Sequence, residues 1–267
     1  MINIVCALQC EAKPLIDYYR LSSAQETIFP IYYNENIRII ISGIGRVATA
    51  SAVTYLYGWN DEQKNQAWLN LGIVGDKSSA IGSLLNINKV IEQATGLQWY
   101  PWRLPENNNK NMALLTVDVP CNAYTESCAI DMEASAFMAI TLRFTTLELV
   151  QLLKVVSDRE EGDLQKIDKK FVSELIGNKL TSITAVIDVM QKAADQYQLI
   201  YSSSDNYQRC LKQWHFTQYQ RKELERLIQR WEILNELCIF EALIGCKTAK
   251  QVLDYLRNQV NQSEVAF

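Results

Sequence analysis

The stretch Ala129-Ile130-Asp131-Met132-Glu133-Ala134-Ser135-Ala136-Phe137 decides the fold of this chain. Ala129 and Ile130 end a short apolar approach and the residues from Ala134 onward are apolar and small, so Met132-Glu133 falls where a strand hands over to a helix. In a sheet flanked by helices, the carboxyl ends of strands are where ligands bind. Glu133 therefore stands at a candidate binding edge. An acid at such a point also serves as a helix cap, because carboxylates are favoured at helix N-termini. The two roles separate only if other chemistry reaches the same edge.

Outward from this stretch, strands alternate with helices. Residues 2–8 form a continuous apolar run, followed by helical character from Glu11 to about Arg20, with Pro14 in the first turn. Residues 28–33 and 37–42 flank the turn Asn34-Glu35-Asn36 and predict a hairpin. Ser42-Gly43-Ile44-Gly45-Arg46 then opens a helix of small residues from Val47 to Tyr57. A strand at 67–71 leads into Gly72-Ile73-Val74-Gly75-Asp76, a second expected glycine turn. Further strands are expected at 84–91, 96–102, 112–119 and 147–156. Helices are expected from Met132 to Arg143 and from Leu164 to Gln196, the latter broken near Gly177-Asn178. The first glycine turn is followed by neither the third glycine of a dinucleotide site nor the Lys-Ser/Thr of a P-loop, and a bare Gly-x-Gly is also what any chain reversal needs.

Composition narrows the partners. The 267 residues carry a net charge of -4, with 48% hydrophobic and 21% charged residues, which gives no reason to expect nucleic acid or an anionic membrane as partner. The apolar N-terminus lacks a basic segment and is interrupted by Glu11 and Lys13, so it predicts a buried strand rather than a targeting segment. Seven cysteines are scattered without a Cys-x-x-Cys pair, against both a disulfide framework and a structural zinc site. A cytoplasmic protein without metal or cofactor is expected. His215, the single histidine, lies between Trp214 and Phe216 with no partner nearby in sequence.

Beyond Tyr201-Ser202-Ser203-Ser204-Asp205-Asn206, a linker by composition, Leu224, Leu227, Ile228, Trp231, Leu234, Leu237 and Cys238 recur at helical spacing. A shorter helix follows from Thr248 to Asn258. The expected division is a domain over 1–200 and a helical extension over 207–267, whose apolar stripe is expected to dock on the chain's own domain.

The landmarks Ile4-Val5-Cys6-Ala7-Leu8-Gln9-Cys10-Glu11, Ser42-Gly43-Ile44-Gly45-Arg46-Val47, Asn70-Leu71-Gly72-Ile73-Val74-Gly75, Asp131-Met132-Glu133-Ala134 and Val156-Ser157-Asp158 occur in an order that resembles the purine nucleoside phosphorylase and methylthioadenosine/S-adenosylhomocysteine nucleosidase superfamily, over about residues 1–195. The resemblance implies an α/β protein with a three-layer α/β/α fold and a mixed central sheet, here with a C-terminal helical extension. It implies action on the N-glycosidic bond of a purine nucleoside such as a 5′-thio-substituted adenosine, and assembly as a homo-oligomer. Glu133 would then hold ribose hydroxyls as a paired acceptor, and Met132 would pack on the sugar. Asp158, placed by Ser157, would hydrogen-bond or protonate the base, and Glu11 would activate water. Gly72 and Ile73 would line the substrate.

Bacterial-type phosphorylases carry Arg-x-Gly-Ser/Thr-x-Gly at the second glycine stretch, whereas Asn70-Leu71-Gly72-Ile73-Val74-Gly75 has neither the arginine nor the hydroxyl. A phosphate would lose charge-assisted hydrogen bonds of about 1.5–3 kcal/mol each, so water is the expected nucleophile. Arg46 and Lys154 are candidate anion contacts. Ile73 in place of a hydroxyl, Lys154 in place of an arginine, and Val119-Pro120-Cys121 in place of a phenylalanine depart from the nucleosidase pattern. The short span from Gly75 to Met132 resembles compact phosphorylase-like relatives. The alternatives are a phosphorolytic enzyme and a non-catalytic nucleoside-binding or assembly protein.

Overall fold

Ile2–Cys6 forms β1, and all five residues are buried, as befits a parallel strand covered on both faces. In this computed structural model, which describes residues 1–59, 66–102, 109–120, 127–159, 167–201, 205–234 and 239–262, β1 lies between β4 (Ile37–Ile41) and β5 (Ala67–Gly75), parallel to both. Antiparallel β3 (Ile31–Tyr33) and β2 (Ser22–Ser23) extend the sheet beyond β4. On its other edge β5 runs parallel to β10 (Val150–Asp158), which meets antiparallel β6 (Leu84–Glu92). β6 is parallel to β8 (Lys110–Thr116) and β8 to β9 (Cys128–Asp131). Ile130 of β9 then pairs with Gly75 at the end of β5.

The ten-stranded mixed sheet thus closes on itself through β5, β10, β6, β8 and β9, with β7 (Gln98–Trp99) attached to β6. Closure brings Asp131, Gly75 and Asp158 to one edge. Helices α2 (Arg46–Gly58) and α3 (Ala134–Thr141) pack together and share a core with Val5, Trp68, Val74, Leu152 and Val156. Helices α1 (Gln9–Tyr19) and α4 (Lys169–Gly177) form the opposing layer. This is the expected α/β/α arrangement. The long α5 (Leu180–Tyr201) follows, burying Ile183, Ile187 and Met190.

Several expected boundaries move. Gly72 to Gly75 is not a turn: β5 continues through it, with Gly72 to Val74 paired to Lys154 to Val156 of β10 and Gly75 to Asp158 across an irregularity at Ser157, because a strand flanked on both sides gains more from its ladder than glycine loses in backbone entropy. Ser157 and Asp158 are the last residues of β10 rather than a loop after it. α1 begins at Gln9, so Pro14 lies past its first turn. The strand expected at 96–102 shortens to Gln98–Trp99, and the one at 112–119 ends at Thr116.

The chain divides into the compact units Met1–Gln196 and Tyr197–Phe267. That division falls within α5, ahead of the expected linker, whose Ser202 to Ser204 lie outside the described residues. The second unit contains α6 (Asp205–Gln213), α7 (Gln218–Leu234), α8 (Ile239–Leu243) and α9 (Ala249–Gln262). Its apolar stripe is covered from within: Leu224, Leu227, Ile228 and Trp231 join Trp214, Phe216, Phe240, Val252 and Leu256 in one core. Leu237 and Cys238 of the expected stripe lie outside the described residues. Among the described residues, no helix is long and apolar enough to cross a membrane.

Candidate active site

Ser42 to Gly45 is a true turn. Gly43 and Gly45 have φ of 81° and 98°, the left-handed region that favours glycine, and Gly43 N–H bonds the Ala7 carbonyl at 3.1 Å, tying the turn to the end of β1. Gly45 immediately precedes α2, and its N–H donates to Glu133 Oε1 at 2.8 Å. The first glycine stretch therefore reaches the motif that opens α3.

The two acids of that motif divide the roles of cap and ligand. Asp131 caps α3: its Oδ2 accepts Ala134 N–H at 2.9 Å, and its Oδ1 accepts the Thr116 hydroxyl at 2.8 Å. Lys154 Nζ, buried on β10, meets the same Asp131 Oδ2 at 2.9 Å. Glu133 makes no cap bond. Its carboxylate instead takes the N–H of Gly45 and, at 3.3 Å, that of Met132. Burial, followed by the charge of Asp131, pushes the Glu133 carboxyl up to about 7, against the opposing pull of Lys154 and the Gly45 N–H.

Glu11 sits in the first turn of α1, 2% exposed. Its Oε2 accepts the N–H of Leu8 at 2.8 Å, and its Oε1 accepts the N–H of Ile73 at 3.0 Å. A Cβ added to Gly72 would stand 2.9 Å from Glu11 Oε1. Glycine is needed there for this close approach and not for a turn. Burial raises the Glu11 carboxyl above its ordinary range while the Leu8 and Ile73 N–H groups pull it back.

At the end of β10 the Ser157 hydroxyl lies against Asp158 Oδ1 and, at 3.2 Å, the Val74 carbonyl. Both residues are buried. Glu11, Ile73, Met132, Glu133, Ser157 and Asp158 all line one cavity of about 260 Å³. Its apolar wall comes from Leu8, Ile44, Val74, Val117, Pro120, Ile130 and Ile167.

Three residues expected at the ligand do not line this cavity. Gly72 stands behind Glu11. Lys154 is taken up by Asp131. Arg46 turns away: its Nε and Nη2 bind Asp118 at 2.7 and 3.0 Å, its Nη1 binds Glu92, and it borders a separate depression between α2 and α3. Both candidate anion contacts are thus engaged by the chain's own carboxylates, and no described residue lining the cavity is cationic. Sequence reasoning missed Ile44, Val117 and Ile167. Ile44 carried a signal, since an isoleucine inside a glycine turn has no core of its own to enter. Ile167 carried none.

No family model matches the sequence, and no curated protein does. Solved structures do. A methylthioadenosine/S-adenosylhomocysteine nucleosidase variant of Helicobacter pylori, with 5′-methylthioadenosine in its active site, is 15% identical with a TM-score of 0.55, over 70% of this chain and 97% of that one. The enzyme of S. pneumoniae with a transition-state inhibitor is 17% identical with a TM-score of 0.56, over 72% and 98%. The 5′-methylthioadenosine nucleosidase of Arabidopsis thaliana in apo form is 18% identical with a TM-score of 0.56, over 71% and 95%. At these identities the likeness is one of fold. The chain has the nucleoside phosphorylase/nucleosidase fold.

Proposed function

We propose that this protein is a purine nucleoside N-ribosyl hydrolase, acting on a nucleoside such as a 5′-thio-substituted adenosine. The observation that carries the reading is the convergence of Glu11, Glu133 and Asp158 on one largely apolar cavity with no cation among its described lining residues. Breaking the bond between C1′ and the base leaves positive charge on the ribosyl ring, which a ring of carboxylates suits. The bonding pair departs with the base, and Asp158 hydrogen-bonds or protonates the base nitrogen to receive it. Water adds to C1′, and its proton passes to Glu11, whose burial strengthens it as a base. Glu133 accepts from the 2′- and 3′-hydroxyls, and Met132 packs on the sugar.

The charge pattern favours water over phosphate. Glu11, Glu133 and Asp158 line the cavity while Asp131 beside them is paired with Lys154, so an incoming phosphate dianion would meet carboxylates without the arginine contacts that offset their repulsion. The folds sharing this architecture include enzymes named for 5′-methylthioadenosine, which makes that nucleoside the first substrate to try. A cytoplasmic homo-oligomer is part of the proposal, the assembly being read by light scattering of the full chain.

Purified protein incubated with 5′-methylthioadenosine, S-adenosylhomocysteine, adenosine and inosine, with and without phosphate, tests the reading. Free base and free reducing sugar are expected without phosphate. Release only with phosphate supports the phosphorylase alternative, and binding without release supports the non-catalytic one.

A further inference from the structure

Lys154 is 1% exposed and lies outside the cavity lining, yet it is an ammonium group within a set of buried acids. Burying a lysine against one carboxylate rarely adds stability, because desolvation cancels most of the attraction. Its position suggests another use. Lys154 is the register partner of Gly72 on β5, so both face the same side of the sheet. From there its Nζ reaches Asp131 Oδ2 at 2.9 Å. Asp131 holds the Ala134 N–H and the Thr116 hydroxyl, and the Thr116 oxygen accepts the Ser135 N–H at 3.0 Å. The lysine thus anchors the group that fixes the first turn of α3, and that turn begins directly after Glu133.

We infer that Lys154 is a positioning residue: by fixing and neutralising Asp131, it lets Glu133 meet a vicinal diol as a paired acceptor, an inference that rests on the ribose-binding reading above. The charged groups that act on Glu133 are Asp131 on β9, Lys154 on β10 and Glu11 on α1. Asp158 borders the same cavity, Cys6 on β1 lies near Lys154 and Glu11, and Arg46 beside Gly45 is turned to Asp118 and Glu92. Of these, Lys154 is the group that opposes proton uptake by Glu133, while Asp131 and Glu11 favour it. Losing the ammonium leaves Asp131 uncompensated, so Glu133 keeps its proton to higher pH and presents a donor where the diol needs acceptors. Losing Asp131 as well removes the charge that did the pushing.

The test uses the full chain labelled with ¹³C at glutamate Cδ, with the Glu133 resonance assigned by its loss in Glu133→Gln. Wild type, Lys154→Met, Lys154→Arg, Asp131→Asn and the double variant Lys154→Met/Asp131→Asn are titrated by NMR. The pH profile of kcat/KM is followed in parallel on the nucleoside that the wild type hydrolyses. In Lys154→Met the Glu133 titration rises by about one pH unit or more, and the acid limb of kcat/KM moves with it. The loss near neutrality is carried by KM and recovers at alkaline pH. Lys154→Arg stays close to wild type, and the double variant returns toward it. An unmoved titration in folded Lys154→Met, or a double variant that titrates like Lys154→Met, overturns the inference. Should Lys154→Met not fold, Asp131→Asn and the double variant decide: Glu133 titrates lower in Asp131→Asn, where the ammonium acts on it unopposed by Asp131, and equal titration in the two overturns the inference. Absence of turnover by the wild type removes the hydrolase reading alone, because the titration still decides the role of Lys154.

Discussion

Ser42 to Val47 and Asn70 to Gly75 look alike as sequence, each an apolar strand running into paired glycines, and the fold uses them in opposite ways. The first leaves the sheet at Gly43 and Gly45, both with positive φ, and aims an N–H at Glu133. The second stays in β5 through Gly75, and its Gly72 leaves the space that the Glu11 carboxylate occupies. One glycine stretch serves the carboxylate proposed for ribose, and the other serves the carboxylate proposed for water. A glycine pair at a strand end marks a place where something approaches the backbone closely, and it does not say whether the backbone turns.

The largest effect is expected from removing what the β5 stretch serves. Glu11→Gln keeps the shape and an acceptor oxygen but takes away the base, and base release should fall by about 10²–10⁴-fold. A loss under tenfold in steady-state assays would strip Glu11 of that role.

Next comes the carboxylate served by the turn. Glu133 titrates at about 7 when folded, above its ordinary 4.5, so between these values the unfolded chain has released a proton that the folded chain keeps. Its contribution therefore falls as pH rises through that window, by about 3 kcal/mol in total. Glu133→Gln should remove this decline, so its stability advantage over wild type in urea denaturation grows from about pH 5 to about pH 8. A constant difference would contradict the environment described.

Gly72→Ala sharpens the contrast. Its methyl meets Glu11 Oε1 at 2.9 Å, so overpacking should cost about 1–3 kcal/mol, and turnover should drop because the carboxylate is displaced. Combined with Glu11→Gln, it should lower turnover no further than Glu11→Gln alone, because both act on one group. Full additivity would place the effect elsewhere.

Gly45→Ala should have the mildest effect on the nucleoside. No atom lies within 4 Å of an added Cβ, so only backbone strain at φ 98° and ψ 162° remains, worth about 1–3 kcal/mol of stability. The N–H to Glu133 survives, and nucleoside affinity should change less than tenfold.

Much of the fold was legible because periodicity is a local signal. The five buried residues of β1 follow from an apolar run, and the start of α2 behind Gly45 and the break between α4 and α5 follow from local turn residues, whereas α2 buries Thr49, Val53 and Leu56 with Ala52 rather than a face of small residues alone. The closed ring of strands was not, since the pairing of Gly75 with Ile130 joins residues far apart in sequence. The site divides in the same manner. Glu11, Met132, Glu133, Ser157 and Asp158 could be named from strand ends and ordered landmarks, and they line one cavity. The cations could not be placed, because the direction of a long side chain depends on which acid lies across the fold. Asp118 and Glu92 draw Arg46 away from the cavity, and Asp131 holds Lys154 beneath it.

Adenine release from 5′-methylthioadenosine in phosphate-free buffer, compared between the wild type and Asp158→Asn, decides whether this cavity hydrolyses a nucleoside. Multiple turnovers are expected of the wild type and a loss of at least about 100-fold in the variant, with the nucleoside still raising the Tm of both. No release by the wild type, or equal release by the two, would contradict the hydrolase reading.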